Sequence, residues 1–583
     1  LLLVIIATHK QQMSYKILFS NQTDYLIYNT SNFERVVLNN FTPTHLFTND
    51  IFSFDNDTVS LLQSSMRNET ISGVLCLHNN KTYGRTKNNR TLYKFIPDDK
   101  RLPPFLVPYD IKTLGFCKVL INHYVVVKFS EWTDKHPHGI ITVNIGPVNI
   151  IDNFYEYQLY CKSLNASIQK FNKDTSNSLK NTSHDDCIKN AIQQYENIEN
   201  RCSWKIFTID PSNTADFDDG FSIKPIINSA GATTGYFLSI YITNVSICMD
   251  YLQLWESFSM RISTIYLPNK KRPMLPTVLS ECLCSLISGH KRVAFTMDIE
   301  IDTAYEIVDI SYKNCHVQVF KNFVYEEYAL LGNKEYQLLL DVTQNLSKKY
   351  KYINNVRNSH DVVTYLMILM NYHSAKRMMV HKNGVFRTSV LTKSQPTNKQ
   401  LPEDIQQFIK IWNSTSCQYV DLSKVGVDND VTHDLLEMDA YIHITSPIRR
   451  LVDLLNIIIF QKNTGMIKLS EKAEQFYEKW INEIEYINVT MKAIRKVQNN
   501  CHLLDLCINN PETMDKNYEG YLFDKMLRND GLYQYIVYIP EIKLTYRINL
   551  HENIEYGEKR MFTMFLFSDE DSLKKKIRLQ IIE

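Results

Sequence analysis

Apolar and polar positions alternate in short runs through the first 165 residues, at 25–29, 72–77, 105–109, 124–129 and 139–143, with Asn, Asp, Thr and Gly between the runs. Alternation of period two, punctuated by turn residues, predicts strands. Two successive small β barrels account for this region, one over 1–70 (with 1–12 read as an extension ahead of Met13) and one over 71–165. Residues 166–204 are polar and rich in Asn, Ser and Lys, and predict a linker with some helix near 186–200. From Trp204 the pattern changes: strands at 205–209 and 235–243 precede helical apolar periodicity at 361–379, 403–412, 447–461 and 471–507. After Pro511 it reverts to strands, at 518–523, 535–538, 542–548, 561–567 and 577–582, which suits a five-stranded OB-type barrel over 511–583. The fold class expected is multidomain α+β: two N-terminal β barrels, a central α/β block over 205–510 and a C-terminal OB-fold barrel.

Composition narrows the function classes. Hydrophobic residues at 44% and charged residues at 22% exclude a disordered chain, and 16 glycines in 583 residues exclude collagen-like or glycine-rich architectures. Lys plus Arg (64) nearly cancels Asp plus Glu (63), so a polyanion site has to come from local clustering. Apolar runs such as 1–7 and 365–370 fall far short of the ~20 residues of a membrane helix. Twelve cysteines without a CxxC pair predict neither a zinc ribbon nor a redox motif, and point to an intracellular, cytoplasmic protein.

The most informative stretch carries four carboxylates, Asp210, Asp216, Asp218 and Asp219, directly after an apolar strand. Ionised carboxylates ~4 Å apart repel by about 4 kcal/mol at an effective dielectric near 20. If they converge, a proton or a divalent cation has to lie between them. Oxygen donors without neighbouring His or Cys favour magnesium or manganese over zinc. The competing reading is a solvated turn, which Pro211 and Gly220 would suit. A calcium loop starting at Asp216 fails, because Phe221 and Ile227 occupy the positions that need Gly and Glu.

Two further segments carry chemistry. At 441–450, Thr445 or Ser446 is placed to cap a helix with Pro447 in its first turn, which would hold Arg449 and Arg450 at the positive helix end, suited to gripping a phosphate. At 263–276, Tyr266 lies on an exposed strand edge followed by Lys270, Lys271 and Arg272, suited to stacking on a base. Basic residues also cluster at Lys87, Arg90, Lys94, Lys100 and Arg101, and at Lys492, Arg495 and Lys496. Taken singly, an exposed Arg pair, a core tyrosine and solvated basic faces explain each of these features equally well.

Together they resemble the RNase II/RNase R family, whose catalytic block is the RNB domain. The resemblance rests on the aspartate spacing, on Tyr266-Leu267-Pro268 with Met274-Leu275-Pro276, on Leu283-Cys284-Ser285-Leu286, and on the segment from His443 to Arg450, all in order. Residues 95–103, the run to Trp132 and 138–146 are similar to the second cold-shock barrel of the eukaryotic branch that includes the exosome catalytic subunit, without its N-terminal endonuclease domain. The resemblance implies a processive, hydrolytic 3′→5′ exoribonuclease that degrades single-stranded RNA to nucleoside 5′-monophosphates. Asp210, Asp216 and Asp219 would ligate Mg²⁺ (or Mn²⁺), and cleavage would depend on Asp218, itself acting through a second metal. Tyr266 would stack on the 3′-terminal base, Arg449 would stabilise the scissile phosphate, and Arg450 would support substrate binding. A monomer is implied; exosome association is not. The chain departs from the family pattern at Tyr241 and Asn244, at Thr364 and Tyr365 in place of an acidic pair, at Ser389 and at Ile457. Loss of the acidic pair leaves open the alternative of a weakened RNA-binding scaffold, and a phosphodiesterase acting on DNA or small nucleotides is a third reading.

Overall fold

A computed structural model describes residues 13–114, 119–353, 355–390, 401–414, 417–424, 431–528, 530–569 and 574–582, so the extension read at 1–12 lies outside the described residues. The first module comprises β1 (Ser14–Phe19), β2 (Tyr25–Asn29), β3 (Arg35–Val36), β4 (Ile51–Asp55) and β5 (Thr58–Gln63), in the order β3-β2-β1-β4-β5. β2 coincides with the run read at 25–29, and among the described residues the pairing of the five strands stays open rather than closing into the expected barrel. The reason lies at the edges: β3 has two residues, and β5 exposes almost all of its side chains.

The second module does close. Its strands β6 (Thr70–Leu75), β7 (Leu92–Pro97), β8 (Phe105–Pro108), β9 (His123–Glu131) and β10 (His138–Pro147) form a barrel in the order β10-β8-β7-β6-β9. Gly73 permits the closest approach within it: a Cβ there would lie 2.3 Å from the Ile96 carbonyl oxygen and 2.5 Å from the Phe95 ring. The end of this region is a helix rather than more barrel. In α1 (Ile151–Cys161), Tyr157 stacks on Tyr124 of β9 at 4.2 Å between ring centroids, and the Tyr155 hydroxyl donates to Asp505 at 2.7 Å.

The linker expected over 166–204 is instead structured. It forms α2 (Gln169–Ser178), α3 (His184–Gln194) and β11 (Ile198–Asn200), which joins the central sheet. α3 answers to the helix expected near 186–200 and α2 was hidden by the polar composition; Phe171 of α2 and Cys187, Ile188 and Ala191 of α3 are buried in the helical core.

The central block is built on β12 (Ile206–Asp210), β13 (Asp219–Ile227), β14 (Thr233–Thr243), β17 (Lys291–Asp302) and the long β18 (Ile307–Val324). β18 pairs parallel with β12 and antiparallel with β17, so the ladder runs round from β12 through β13, β14 and β17 back to β18. Between β14 and β17 lie α4 (Val245–Tyr251) and a small ribbon, β15 (Ile265–Tyr266) with β16 (Lys271–Arg272). After β18 come α5 (Tyr328–Leu331), α6 (Lys334–Lys349), α7 (Ser359–His381), β19 (Val385–Thr388), α8 (Glu403–Trp412) and β20 (Gln418–Asp421). The helix α7 starts from a reciprocal cap, in which Asn358 accepts from the Asp361 N–H and Asp361 accepts from the Asn358 N–H.

Two helix boundaries differ from those expected. The helix read from Pro447 begins four residues later, as α9 (Leu451–Thr464), and the segment read as one helix over 471–507 divides into α10 (Glu471–Ile481) and α11 (Ile484–Asn509). The C-terminal module has the five expected strands, β21 (Tyr518–Leu527), β22 (Tyr533–Ile539), β23 (Leu544–Leu550), β24 (Lys559–Asp569) and β25 (Lys574–Ile581), paired as an open β23-β22-β21-β24-β25 sheet among the described residues. It is fastened to the central block through α8, where Phe408 stacks on Tyr538 at 3.5 Å.

One buried ion pair ties the central sheet together. Arg201, only 1% exposed, donates to both oxygens of the equally buried Asp298 at 2.7 and 2.6 Å, to Glu199 at 2.8 Å, and rests on the Trp204 ring at 4.2 Å. Removing one partner of such a pair leaves an unpaired buried charge, which costs about 3–5 kcal/mol. Arg201→Met is therefore expected to lower the denaturant unfolding free energy by roughly that amount, with a smaller loss when Asp298→Asn is combined with it; an unchanged midpoint for the single variant would contradict this role.

Candidate active site

The aspartate loop is shaped by backbone and hydroxyl contacts. Asp210 ends β12, and its carbonyl accepts from the Tyr325 N–H at 3.1 Å. Ser285 holds the loop from the other side, accepting from the Phe217 N–H at 2.9 Å and donating to the Ala215 carbonyl at 3.0 Å. The Leu286 N–H adds a bond to the Phe217 carbonyl at 3.1 Å, and the Asp218 carbonyl accepts from the Thr243 N–H at 2.9 Å. Asp219 then opens β13, in register with Ile242.

Arg449 meets this loop from 231 residues away in sequence. One Asp218 oxygen accepts from the Ile448 N–H at 3.0 Å and the other from Arg449 Nε at 3.1 Å. Asp218 is almost fully buried, whereas the Arg449 side chain is 44% exposed, so the guanidinium spans from the carboxylate to open space. Arg449 also donates to Ser446 Oγ at 2.9 Å.

The helix-capping arrangement expected here is not what forms. Neither Thr445 nor Ser446 caps α9; Arg450 occupies the cap with an extended backbone (φ −137°, ψ 125°) and no side-chain cap bond. The cause is Asp453 in the first turn of α9, which is fully buried and accepts from the Ser446 N–H at 2.7 Å and from the Arg450 guanidinium at 2.8 Å. Residues 446–450 are thereby drawn into a turn that aims Arg449 at Asp218. Arg450, read as a substrate-binding residue, is mostly buried on Asp453.

Tyr266 stands 39% exposed at the end of β15, its backbone N–H donating to Gln498 at 3.0 Å. Burial raises its hydroxyl pKa, Arg449 and Lys271 oppose the rise, and Asp216 and Asp218 add to it. Across the ribbon, Lys271 reaches Asp216 at 2.8 Å and Glu281 at 2.8 Å. Arg272 is paired with Glu156 and Arg101 with Asp99, so those two members of the basic clusters are already neutralised.

The electrostatics follow from this packing. Burial pushes the Asp210 carboxyl up to about 7, with repulsion from Asp218 and Asp216 added. Burial likewise holds Asp218 at about 7 against the pull of Arg449 and the Ile448 N–H, and Asp219 at about 8 with Asp210 beside it. Among the described residues no three His, Cys, Asp or Glu side chains already stand as a ready-made metal site. The donor chemistry nonetheless suits a hard divalent cation: the aspartates offer oxygen donors, and Asp210 Oδ2 is buried without a hydrogen-bond partner.

A family model described as the RNB domain matches residues 198–335. This chain carries an RNB domain. The matched stretch runs from β11 to the start of α6, contains all four aspartates and Tyr266, and leaves Arg449 outside it. The chain is 26% identical over 361 residues to Ribonuclease R of Buchnera aphidicola, a match covering 48% of each protein. It is 26% identical over 221 residues to DIS3-like exonuclease 2 of Schizosaccharomyces pombe (36% of this chain, 22% of that protein). It is 38% identical over 103 residues to Exoribonuclease 2 of Mannheimia succiniciproducens (17% and 16%). The chain thus spans about half, or less, of the length of these relatives. In fold it is similar to Mycoplasma genitalium RNase R in complex with ribose-methylated single-stranded RNA (TM-score 0.66, 14% identity, 97% of this chain and 100% of that one). It is also similar to yeast Ssd1, described as a pseudonuclease (TM-score 0.59, 12% identity, 92% and 79%).

The departures from the family pattern have structural occupants. The Tyr241 hydroxyl lies 2.9 Å from Ser222 Oγ, and Asn244 donates to Asn314 and Gln461 at 2.8 Å each. Tyr365 is buried, with its hydroxyl on the Tyr350 carbonyl at 3.0 Å, and Ile457 is in the apolar core. Sequence reasoning missed Lys271, Ser285, Asp453 and Tyr325 as members of the site. Tyr325 stacks on His360 at 3.6 Å, and its hydroxyl pKa is raised by burial and then by Asp219 and Asp210. The Leu283-to-Leu286 motif was a signal for Ser285; nothing in the residue pattern marked Tyr325.

The raised carboxyls have a consequence for the metal-free protein. The folded chain retains protons on Asp210, Asp218 and Asp219 up to about pH 7–8, whereas the unfolded chain releases them near 4. Their contribution to stability is complete below the unfolded value and is lost as pH rises through the folded values. In EDTA the melting temperature is therefore expected to fall between roughly pH 4 and 8, and Asp219→Asn to flatten that slope; a metal-free Tm that climbs over this range would show the cluster to be ionised throughout.

Proposed function

We propose that this chain is a divalent-metal-dependent, hydrolytic 3′→5′ exoribonuclease that removes nucleoside 5′-monophosphates from single-stranded RNA. The observation that carries this reading is the convergence on Asp218 of the Ile448 N–H and Arg449, which brings a half-exposed guanidinium to a buried carboxylate cluster. The RNB domain match and the likeness to an RNase R fold support it.

In this reading Asp210 and Asp219, with Asp218, would hold the cation, Mg²⁺ or Mn²⁺, which when bound lowers the pKa of water and neutralises phosphate charge. Water attacks the last phosphorus, the bond from that phosphorus to the 3′ oxygen of the preceding nucleotide breaks, and the leaving oxygen departs as a hydroxyl. Arg449 faces the non-bridging oxygens as their charge grows, a contact stronger in the transition state than in the ground state. Tyr266 offers a face for the terminal base, and a stacked base contributes ~1–3 kcal/mol. Asp453 and Ser446 serve as positioning residues, since they fix the turn that aims Arg449.

A second reading, an RNA-binding scaffold without cleavage, is favoured by the exposed Thr364 and buried Tyr365 at the acidic-pair positions, by the lack of a ready-made three-carboxylate site among the described residues, and by the fold likeness to a pseudonuclease. The two readings separate on one gel. With Mg²⁺ and 5′-labelled single-stranded RNA the protein is expected to give a descending product ladder, and Asp218→Asn to bind the RNA without shortening it. Intact RNA with the unaltered protein, in Mg²⁺ and in Mn²⁺, would install the scaffold reading, and equal digestion of matched DNA would point to a general phosphodiesterase. Arg449→Ala is expected to lower turnover about 10²–10³-fold with a much smaller loss of RNA affinity; equal losses in both would make Arg449 an ordinary phosphate clamp.

A further inference from the structure

Lys271 lies directly across the β15–β16 ribbon from Tyr266, and it does not face solvent as a lysine in a short exposed ribbon normally would. Its ammonium is 2.8 Å from Asp216 and 2.8 Å from Glu281, and the Asp216 side chain is only 12% exposed. Glu281 belongs to the one-turn π segment Leu279–Leu283, which leads straight into Ser285. The residue that anchors Lys271 and the residue that shapes the aspartate loop thus share one short segment, so the ammonium is held in place by the same framework as the carboxylates.

We infer that the Lys271 ammonium is a resident cation of the cluster, which takes Asp216 out of the set of carboxylates open to a divalent ion, so that this site takes one divalent ion rather than two. The inference rests on the metal-dependent reading above and makes it more specific. When ionised, Asp210, Asp216, Asp218 and Asp219 carry four negative charges. Arg449 on Asp218 and Lys271 on Asp216 return two positive ones. The remainder matches a single divalent ion, and it falls on Asp210, which has a buried oxygen without a hydrogen-bond partner, and on Asp219 beside it. A second divalent ion at Asp216 would have to displace an ammonium held by two carboxylates, or sit against it at like charge. Glu281 sharpens the point: it keeps Lys271 in place whether or not Asp216 is engaged.

The test counts ions on the full-length chain, with Mn²⁺ alone as the probe, by calorimetry and by the electron paramagnetic resonance signal of free Mn²⁺. The unaltered protein and Lys271→Arg are expected to bind one Mn²⁺ per chain, and Lys271→Gln, folded by circular dichroism, to bind two. In EDTA, Lys271→Gln is expected to melt below the unaltered protein and to gain more in Tm from added Mn²⁺. Two ions on the unaltered protein would overturn the inference while leaving the metal-dependent reading intact, and that count needs no variant to fold. One ion on folded Lys271→Gln would also overturn it. No bound ion on either form would overturn both.

Discussion

Four carboxylates brought together between the end of β12 and the start of β13 cannot all be ionised unless positive charge is brought to them, and that constraint organises the site of this protein. Burial, the largest cause in each case, holds the carboxyls of Asp210 and Asp218 at about 7 and that of Asp219 at about 8. The chain answers with a guanidinium from the turn before α9 and an ammonium from the β15–β16 ribbon, two segments with no proximity in sequence to the aspartates or to each other. Neither cation would reach without its own support. Asp453 draws the 446–450 turn inward, and Glu281 holds Lys271 from behind. The site is therefore a product of tertiary structure, although its acidic half is a local motif.

The fold around it serves that meeting. β12 delivers Asp210, β13 begins at Asp219, and the loop between them is fixed by Ser285 rather than by the strands. Because β18 pairs on both edges, the strands that carry the aspartates belong to a closed run of hydrogen bonds and not to a frayed sheet edge. The buried Arg201–Asp298 pair lies within that same sheet system and supports the β11–β12 connection from below. Rigidity of this sort matters for charge: a loop free to open would let the carboxylates separate into water and lose their raised pKa values.

Much of this was legible from residue order. The alternating runs located most of the strands, and the aspartate spacing, Tyr266 and Arg449 marked the residues that the structure gathers. What could not be read was whatever depended on a competing partner. Pro447 looked like the first turn of a helix, yet Asp453 captures the Ser446 N–H and moves the helix start to Leu451. Lys271 looked like one of three solvent-facing basic residues, and only its register opposite Tyr266 turns it toward Asp216. The polar stretch before Trp204 looked like a connector because its few apolar residues, Phe171 and Ile188 among them, fall on one helical face. The open edges of the first and last β modules were equally invisible, since the same strand count serves a closed barrel and an open sheet.

Tyr241, Asn244, Tyr365 and Ile457, positions at which the chain departs from the RNase II/RNase R pattern, are each accommodated by the packing around them. Ile457 and Tyr365 have been absorbed into the apolar core, and Tyr365 keeps its hydroxyl satisfied on the Tyr350 carbonyl. Tyr241 and Asn244 take part in buried hydrogen-bond networks within the sheet and at the start of α4, so their neighbours remain satisfied. Several raised carboxylates side by side each lower stability at neutral pH unless something neutralises them. Here a guanidinium is held against the cluster through a turn that a buried aspartate fixes, and an ammonium is held against it by a second carboxylate, so part of the positive charge the aspartates need is supplied by the fold itself.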